Sequence, residues 1–235
     1  MPTSSKSVTL DPMTSISTTK PLNKPFSEVV SSMNETVFAH CYRDEHLKKQ
    51  SCIEVTQGRI VKIVSSYDTS YAAFGIIANI NNTTLDTSHK AQALGLDDQE
   101  LKSLQAQIME LLRKEVEIYL FAYQEGSHLV CLPPTKPLMV HDFVYLATED
   151  DQLKLTENLT SVINLVKKYK LQTKLVCNLI KTGYELRNHD YKYLLEKAQE
   201  MSLAFSDELD TLIFALKDLS SYRRQYGRKA LRPYY

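Results

Sequence analysis

Two segments of the chain concentrate side chains that could do chemistry. The first is HCYRDEH, His40 to His46, which offers two imidazoles, one thiol and two carboxylates within seven residues. A zinc site needs about four such ligands that converge on one point. Because successive side chains of a strand point to opposite faces, His40 and Cys41 would diverge. The pattern therefore favours the end of a strand followed by a charged turn, without a metal.

The second segment is the C-terminal stretch SYRRQYGRKALRPYY, which interleaves basic and aromatic residues. Its candidate partner-binding residues are Arg223, Arg224, Tyr226, Arg228, Lys229 and Arg232. Arginine pairs with phosphate and aromatic rings stack on bases, which is how single-stranded nucleic acid is held without sequence preference. A carboxylate-rich protein surface or anionic lipid would attract the same cations. A solvated, disordered C-terminus is the alternative interpretation.

The charge of the rest of the chain weakens the case for nucleic acid. The full chain has 28 basic and 28 acidic residues, so removal of the five cations of this stretch leaves 23 basic against 28 acidic residues. A mildly acidic body repels a polyanion. A basic end on an acidic body indicates a tail that docks on something anionic, and a protein partner fits this pattern better than nucleic acid does.

The sequence contains none of the common enzyme signatures. None of its six glycines precedes a Lys-Ser or Lys-Thr pair, and no G-x-G-x-x-G, H-E-x-x-H or G-x-S-x-G pattern occurs. His141 and Asp142 are adjacent, but strand alternation would direct them to opposite faces, so we expect a hydrogen-bonded histidine at the start of a strand. We predict no catalytic residue, no metal and no cofactor, and hence a protein that is not an enzyme.

The composition, with 43% hydrophobic residues, is that of an ordinary soluble protein. No apolar run approaches the roughly 18 residues of a membrane span. The cysteines lie far apart among apolar neighbours, which favours free thiols in a reducing compartment over disulfides. Residues 1–25 hold ten Ser or Thr and no aromatic residue, which predicts a disordered leader, with a cleaved targeting segment as the alternative. We predict a cytoplasmic protein, either free or peripheral to a membrane.

Residues 26–148 show the pattern of short β-strands. The candidate strands are Glu35–Tyr42, Ser51–Val55, Gly58–Ser66, Phe74–Ile80, Glu117–Gln124, Ser127–Leu132 and His141–Ala147. A tight hairpin is predicted at Gln124–Ser127, and Asn81 to Thr84 are typical turn residues. Helically spaced leucines and isoleucines after Asp97 and Asp98 predict one inserted helix that ends near Lys114. Together these elements predict a small, closed or partly closed β-barrel.

After residue 148 the apolar period changes to that of helices. One predicted helix has its apolar face over Leu155 to Val166, the next begins near Thr173, and a third carries a stripe about 30 residues long from Asp190. Short connections indicate an antiparallel three-helix module. The predicted fold is therefore α+β, with a leader (1–25), a β-barrel with one inserted helix (26–148), a helical domain (149–221) and a basic aromatic tail (222–235).

Three longer stretches, FGIIANINNTTLDTSHKAQALGL, ELLRKEVEIYLFAYQ and LPPTKPLMVHDFVY, resemble a family of uncharacterised cyanobacterial proteins that carry a HAS barrel. This barrel is named after the DNA-translocating ATPase HerA and the catalytic subunits of ATP synthase. The resemblance runs from about Glu35 to Ser220. Its most telling parts are Phe74-Gly75, ALGL at Ala93 to Leu96, Pro133-Pro134 and HDFVY at His141 to Tyr145. We expect Gly75 at a bend of the barrel wall or where another backbone comes close.

The resemblance implies a role in assembly and no chemistry of its own. In HerA and ATP synthase such barrels join side by side into a ring that holds the motor domains together. Here helices stand where a nucleotide-binding domain would follow, so the capacity to dock or to form homo-oligomers carries over and ATPase activity does not. The resulting hypothesis is a protein–protein interaction module, an assembly or regulatory factor of a larger ATPase or membrane bioenergetic complex. The alternative hypothesis is a nucleic-acid-binding accessory to DNA processing.

Overall fold

The structure, a computed structural model, describes residues 24–42, 55–84, 99 and 112–230, and only the backbone at 83, 84, 112 and 226–230. The predicted leader up to residue 23, residues 51–54 of the predicted second strand and nearly all of the predicted inserted helix lie outside the described residues. The predicted end of that helix near Lys114 is corrected, because Leu112, one of its helically spaced leucines, begins a β-strand that continues through Lys114.

The barrel part of the α+β prediction is confirmed. Within the described residues the strands are β1 (Ser27–Met33), β2 (Thr36–Cys41), β3 (Ile60–Val64), β4 (Tyr71–Thr84), β5 (Leu112–Glu125), β6 (His128–Val130) and β7 (Phe143–Leu146). Six of them follow the order β2-β1-β7-β3-β4-β5, and pairing of β5 with β2 closes the ring. Every pair is antiparallel, and β6 adds to the C-terminal half of β5 outside the ring.

Alternation along each strand sends one set of apolar side chains into the barrel. In β3, Val61 and Ile63 are fully buried in the interior, whereas Lys62 between them faces outward. Gly75 lies at a register shift of β4, and a Cβ atom there would be 3.0 Å from the backbone oxygen of Tyr119. The expectation of a close backbone approach at Gly75 is therefore confirmed.

Two local predictions in the β4–β5 ribbon had different outcomes. The hairpin at Gln124–Ser127 is confirmed, since Glu125 pairs with His128 and Gly126 adopts a positive φ of 59°. The predicted turn at Asn81–Thr84 is wrong, because these residues continue β4 and pair with the residues from Leu112 to Glu115. Backbone pairing satisfies their amides, and the exposed asparagine side chains need no turn to reach water.

The described part of the C-terminal region contains five helices where the sequence predicted three. They are α1 (Glu149–Leu155), α2 (Thr160–Tyr169), α3 (Lys174–Leu186), α4 (Tyr191–Ala204) and α5 (Leu209–Ala230). The predicted long third helix is broken over residues 205–208, where Lys167 Nζ donates to the backbone oxygen of Ala204 (2.7 Å) and contacts Asp207 (3.3 Å). The predicted start at Asp190 is confirmed, and its side chain caps α4 by accepting from the amide of Lys192.

The helices pack against the outer face of the barrel and share a hydrophobic core with it, which is separate from the core inside the barrel. Phe74, Ile76 and Phe121 belong to the same buried cluster as the inner faces of all five helices. A buried hydrogen bond from Ser161 Oγ to the backbone oxygen of Phe121 (2.7 Å) adds a polar link. The position of each helix is therefore fixed relative to the barrel.

Candidate interaction surface

The predicted tail is helical for most of its length. Helix α5 continues to Ala230, so Arg223, Arg224, Tyr226, Arg228 and Lys229 all lie on it. The side chains of the last three are outside the described part, as is Arg232 entirely. Cations near the C-terminus of a helix interact favourably with its dipole. The basic end is therefore held along a helical axis up to residue 230, and the notion of an unstructured tail is wrong for that part.

The start of the predicted tail is anchored to the neighbouring helices. The hydroxyl of Tyr222 donates to Glu185 of α3, and the ammonium of Lys181 lies 5.2 Å from the centre of the Tyr222 ring. The guanidinium of Arg223 stacks 4.0 Å above the ring of Tyr191 on α4. Arg224 is exposed and forms no ion pair within the described residues. Of the two arginines of the predicted tail whose side chains are described, Arg224 is thus the one available to a partner.

A row of exposed side chains runs along the side of α5 that faces away from the core. Its members, here called the outward stripe, are Asp210, Ile213, Phe214, Lys217, Ser220, Ser221 and Arg224. Their spacing of three and four residues places them on one helical face. Phe214 is 72% and Ile213 43% exposed, whereas Leu212, Ala215 and Leu219 on the opposite face are buried. The stripe thus exposes large apolar side chains that the core does not use.

A mainly apolar cavity of about 560 Å³ lies beside the stripe, between the start of α3 and α5. Phe214, Ala215 and Cys177 form its apolar lining, and Lys174 and Asp210 are among its charged residues. Burial raises the pKa of the Cys177 thiol to about 11, so the thiol is protonated and unreactive at neutral pH. The sequence analysis missed this cavity because its walls come from helices that are distant along the chain.

A second, polar and open pocket of about 270 Å³ is lined by the α1–α2 connection, the end of α3 and α4. Its cations are used to cap α1: Arg187 donates to the backbone oxygen of Leu153 (2.8 Å) and to Thr156 Oγ1 (2.9 Å). Lys197 donates to the backbone oxygen of Glu157 (2.6 Å), and Tyr193 Oη to that of Thr156 (3.0 Å). This cluster is occupied by structural bonds that satisfy carbonyls at the end of α1.

The histidines of the two motifs examined for metal binding and proton transfer, HCYRDEH and His141-Asp142, each contact a glutamate. His40 Nε2 lies 3.2 Å from Glu115 Oε2 on β5, and no group of three metal-ligating side chains occurs within the described residues. Asp44, Glu45 and His46 lie outside them. His141 bonds to Glu28, so the expectation of a hydrogen-bonded histidine is confirmed, although it lies in a turn just before β7.

The neighbouring Asp142 ties two loops of the barrel together. Its side chain is fully buried and accepts from the amide and hydroxyl of Ser66 and from the amide of Met139, each at 2.8 Å. All of these donors belong to the two loops that the carboxylate joins, so Asp142 holds the loops in place and is not poised for proton transfer to a ligand.

Within the described ranges, none of the helices combines the length and the apolar run that a membrane span needs. No protein-family model matches the chain, and no curated protein matches it.

Proposed function

We propose that the protein is a non-enzymatic interaction protein that acts as an assembly or regulatory factor of a larger protein complex. The observation that carries the proposal is the basic C-terminal part of α5. After Asp218 the chain contains no acidic residue, while Arg223, Arg224, Arg228 and Lys229 follow on the same helix. The helix that carries them in sequence packs on α3 and α4, and the exposed Arg224 lies on it. The complementary partner is a carboxylate-rich protein surface.

The barrel supports a second element of the proposal, kinship with the HAS-barrel family. A closed ring of six antiparallel strands is compatible with that family, and the helices of residues 149–230 stand in place of a motor domain. The partner on this view is an ATPase that lacks its own barrel, or a bioenergetic complex of a photosynthetic cell. The protein would act in the cytoplasm, free or at the periphery of a membrane.

The test is capture of partners from native lysate by the tagged full-length protein, with nuclease added and membranes solubilised. The informative variant replaces Arg228, Lys229 and Arg232 by glutamine, because it spares Tyr222 and Arg223, which are packed against α3 and α4. At low salt we expect the wild type to retain a stoichiometric protein complex and the variant to lose most of it. The difference should shrink as the salt concentration rises, because screening weakens the wild-type interaction.

A charge-matched control replaces three exposed lysines elsewhere in the helical part, Lys154, Lys170 and Lys174. Equal capture by the wild type and the tail variant would refute the role of the basic end, and equal loss in the control would reduce it to a non-specific charge effect. Recovery of nucleic acid alone from the untreated lysate would favour the DNA-processing alternative. Binding would then fall with salt with a slope that tracks about five phosphates.

A further inference from the structure

The outward stripe of α5 is complementary to itself when its direction is reversed. From Asp210 to Arg224 it spans about 21 Å, at 1.5 Å per residue. Its charge changes from negative at Asp210 to positive at Arg224, and its size changes from the large Ile213 and Phe214 to the small Ser220 and Ser221. All of these side chains are exposed in the described chain. An antiparallel copy of the same helix would therefore meet opposite charge and opposite size at each end.

We propose that two copies of the chain associate through antiparallel packing of their α5 helices along this stripe. The register that opposes the charged ends pairs Asp210 with Arg224 of the second copy, and a two-fold axis forms the same pair again at the other end. In that register Phe214 and Ile213 pack over Ser220 and Ser221 of the second copy. Small side chains opposite large ones allow two helices to approach at the usual 8–10 Å between axes.

The register also places one unfavourable contact on the two-fold axis. Lys217 lies midway between Asp210 and Arg224, so its ammonium group meets that of the second copy. Like charges weaken the pair, and the apolar contribution comes mainly from Phe214, which is 72% exposed, and Ile213, which is 43% exposed. A single-helix interface is also below the roughly 800 Å² per partner of standard interfaces. We therefore expect a dissociation constant on the order of micromolar.

A second copy fits this surface better than an unrelated partner does, because the charge pattern of the stripe is complementary to its own reverse. The association goes beyond the proposed function and is tested at a different cation. It depends on Arg224, whereas the capture experiment above changes Arg228, Lys229 and Arg232. Failure of one experiment therefore leaves the other informative, since self-association is measured on the purified chain without any partner.

The test is sedimentation equilibrium of the purified full-length protein over about 1–200 µM, a range that brackets micromolar association. Each of the single variants Asp210→Arg and Arg224→Asp would place two like-charge pairs in its own dimer, and we expect each to dimerise about 10-fold or more weakly. An equimolar mixture of the two restores two opposite-charge pairs in the mixed dimer. We expect that mixture, and the double variant Asp210→Arg/Arg224→Asp, to recover association close to the wild type.

The lysine on the axis supplies an independent test of the register. Lys217→Met removes the like-charge contact and should tighten the dimer several-fold, whereas Lys154→Met on α1 is the matched control that should leave it unchanged. A wild type that stays monomeric at about 200 µM would overturn the proposal. So would dimerisation that is unaffected by the single charge reversals, or a mixture of the two that associates no better than either variant alone, because the interface would then lie elsewhere.

Discussion

Replacing Gly183 by alanine should destabilise the protein, although alanine is the better helix former. Gly183 is buried in α3 where Tyr193 of α4 crosses it. A methyl group there would lie 2.7 Å from Tyr193 Cζ, closer still to its hydroxyl oxygen, and 3.0 Å from Thr156 Cβ. Because carbon atoms pack at about 3.5–4 Å, the ring would have to retreat by roughly 1 Å. That movement would disturb its hydrogen bond to Thr156 (3.0 Å) and its stacking under Arg187 (4.3 Å).

The magnitude follows from three opposing contributions. Overpacking costs about 1–3 kcal/mol and loss of the tyrosine hydrogen bond about 1 kcal/mol. The higher helix propensity of alanine returns about 1 kcal/mol. We therefore expect Gly183→Ala to lower the free energy of unfolding by about 1–3 kcal/mol, measured by urea denaturation. The protein concentration must be fixed, since self-association would add to the apparent stability.

A double-mutant cycle distinguishes this explanation from a general effect of the substitution. Tyr193→Phe alone should cost about 1 kcal/mol through the lost hydrogen bond. Because phenylalanine lacks the hydroxyl oxygen that clashes most, the double variant should be less destabilised than the sum of the single variants by about 1 kcal/mol. Gly227→Ala in α5 is the propensity control and should gain up to about 1 kcal/mol. Strict additivity, or a stabilised Gly183→Ala, would refute the packing argument.

Three further outcomes can be measured on the same protein. Burial raises the pKa of Tyr193 from 10.0 to about 12. The contribution of the protonated Tyr193 to stability should be complete below pH 10 and lost as the pH rises towards 12. Wild-type stability should therefore fall more steeply in that range than the stability of Tyr193→Phe. Asp142→Ala should cost about 2–4 kcal/mol in urea denaturation, because the amides of Ser66 and Met139 would lose their buried acceptor. At pH 8, the rate of Cys177 alkylation, followed by peptide mass spectrometry, should be about 100-fold lower in the folded than in the unfolded chain. The reason is the raised pKa of the Cys177 thiol, about 11, which lowers the thiolate fraction. Equal rates would show that the helices open readily.

The sequence predicted the barrel and the helical character of the C-terminal part because both depend on periodicity. It missed β1, whose residues SEVVSSM are mostly polar or small and whose pairing with β2 shifts register between Val29 and Ser31. The alternation is interrupted at that shift, so the strand gives only a weak period-2 pattern. It mistook Asn81–Thr84 for a turn because the same polar residues suit a turn and a strand exposed to water. Local composition cannot separate these cases without the pairing strand.

The break between α4 and α5 escaped periodicity for a different reason. The two helices pack side by side, so both bury one apolar face and the two faces read as one continuous stripe. The sequence did contain a signal for the break, since Ser206 and Asp207 are residue types that favour the start of a new helix. The break depends partly on Lys167 of α2, which contacts Ala204 and Asp207 although it is far away in sequence. For the surface, the cations were predicted, but the outward stripe and its relation to the cavity required the helix geometry.

The two faces of α5 have separate physical roles, and Phe214 allows them to be tested against each other. Leu212 and Leu219 are under 10% exposed and contribute to the core, whereas Phe214 is 72% exposed and gains little by folding. Replacing Phe214 by serine should therefore change the free energy of unfolding of the monomer by less than about 0.5 kcal/mol. The same substitution removes the largest apolar contact of the antiparallel α5 pair and should abolish association in sedimentation equilibrium. A loss of monomer stability instead would assign Phe214 to the core, and the stripe would no longer be a surface available to a second copy.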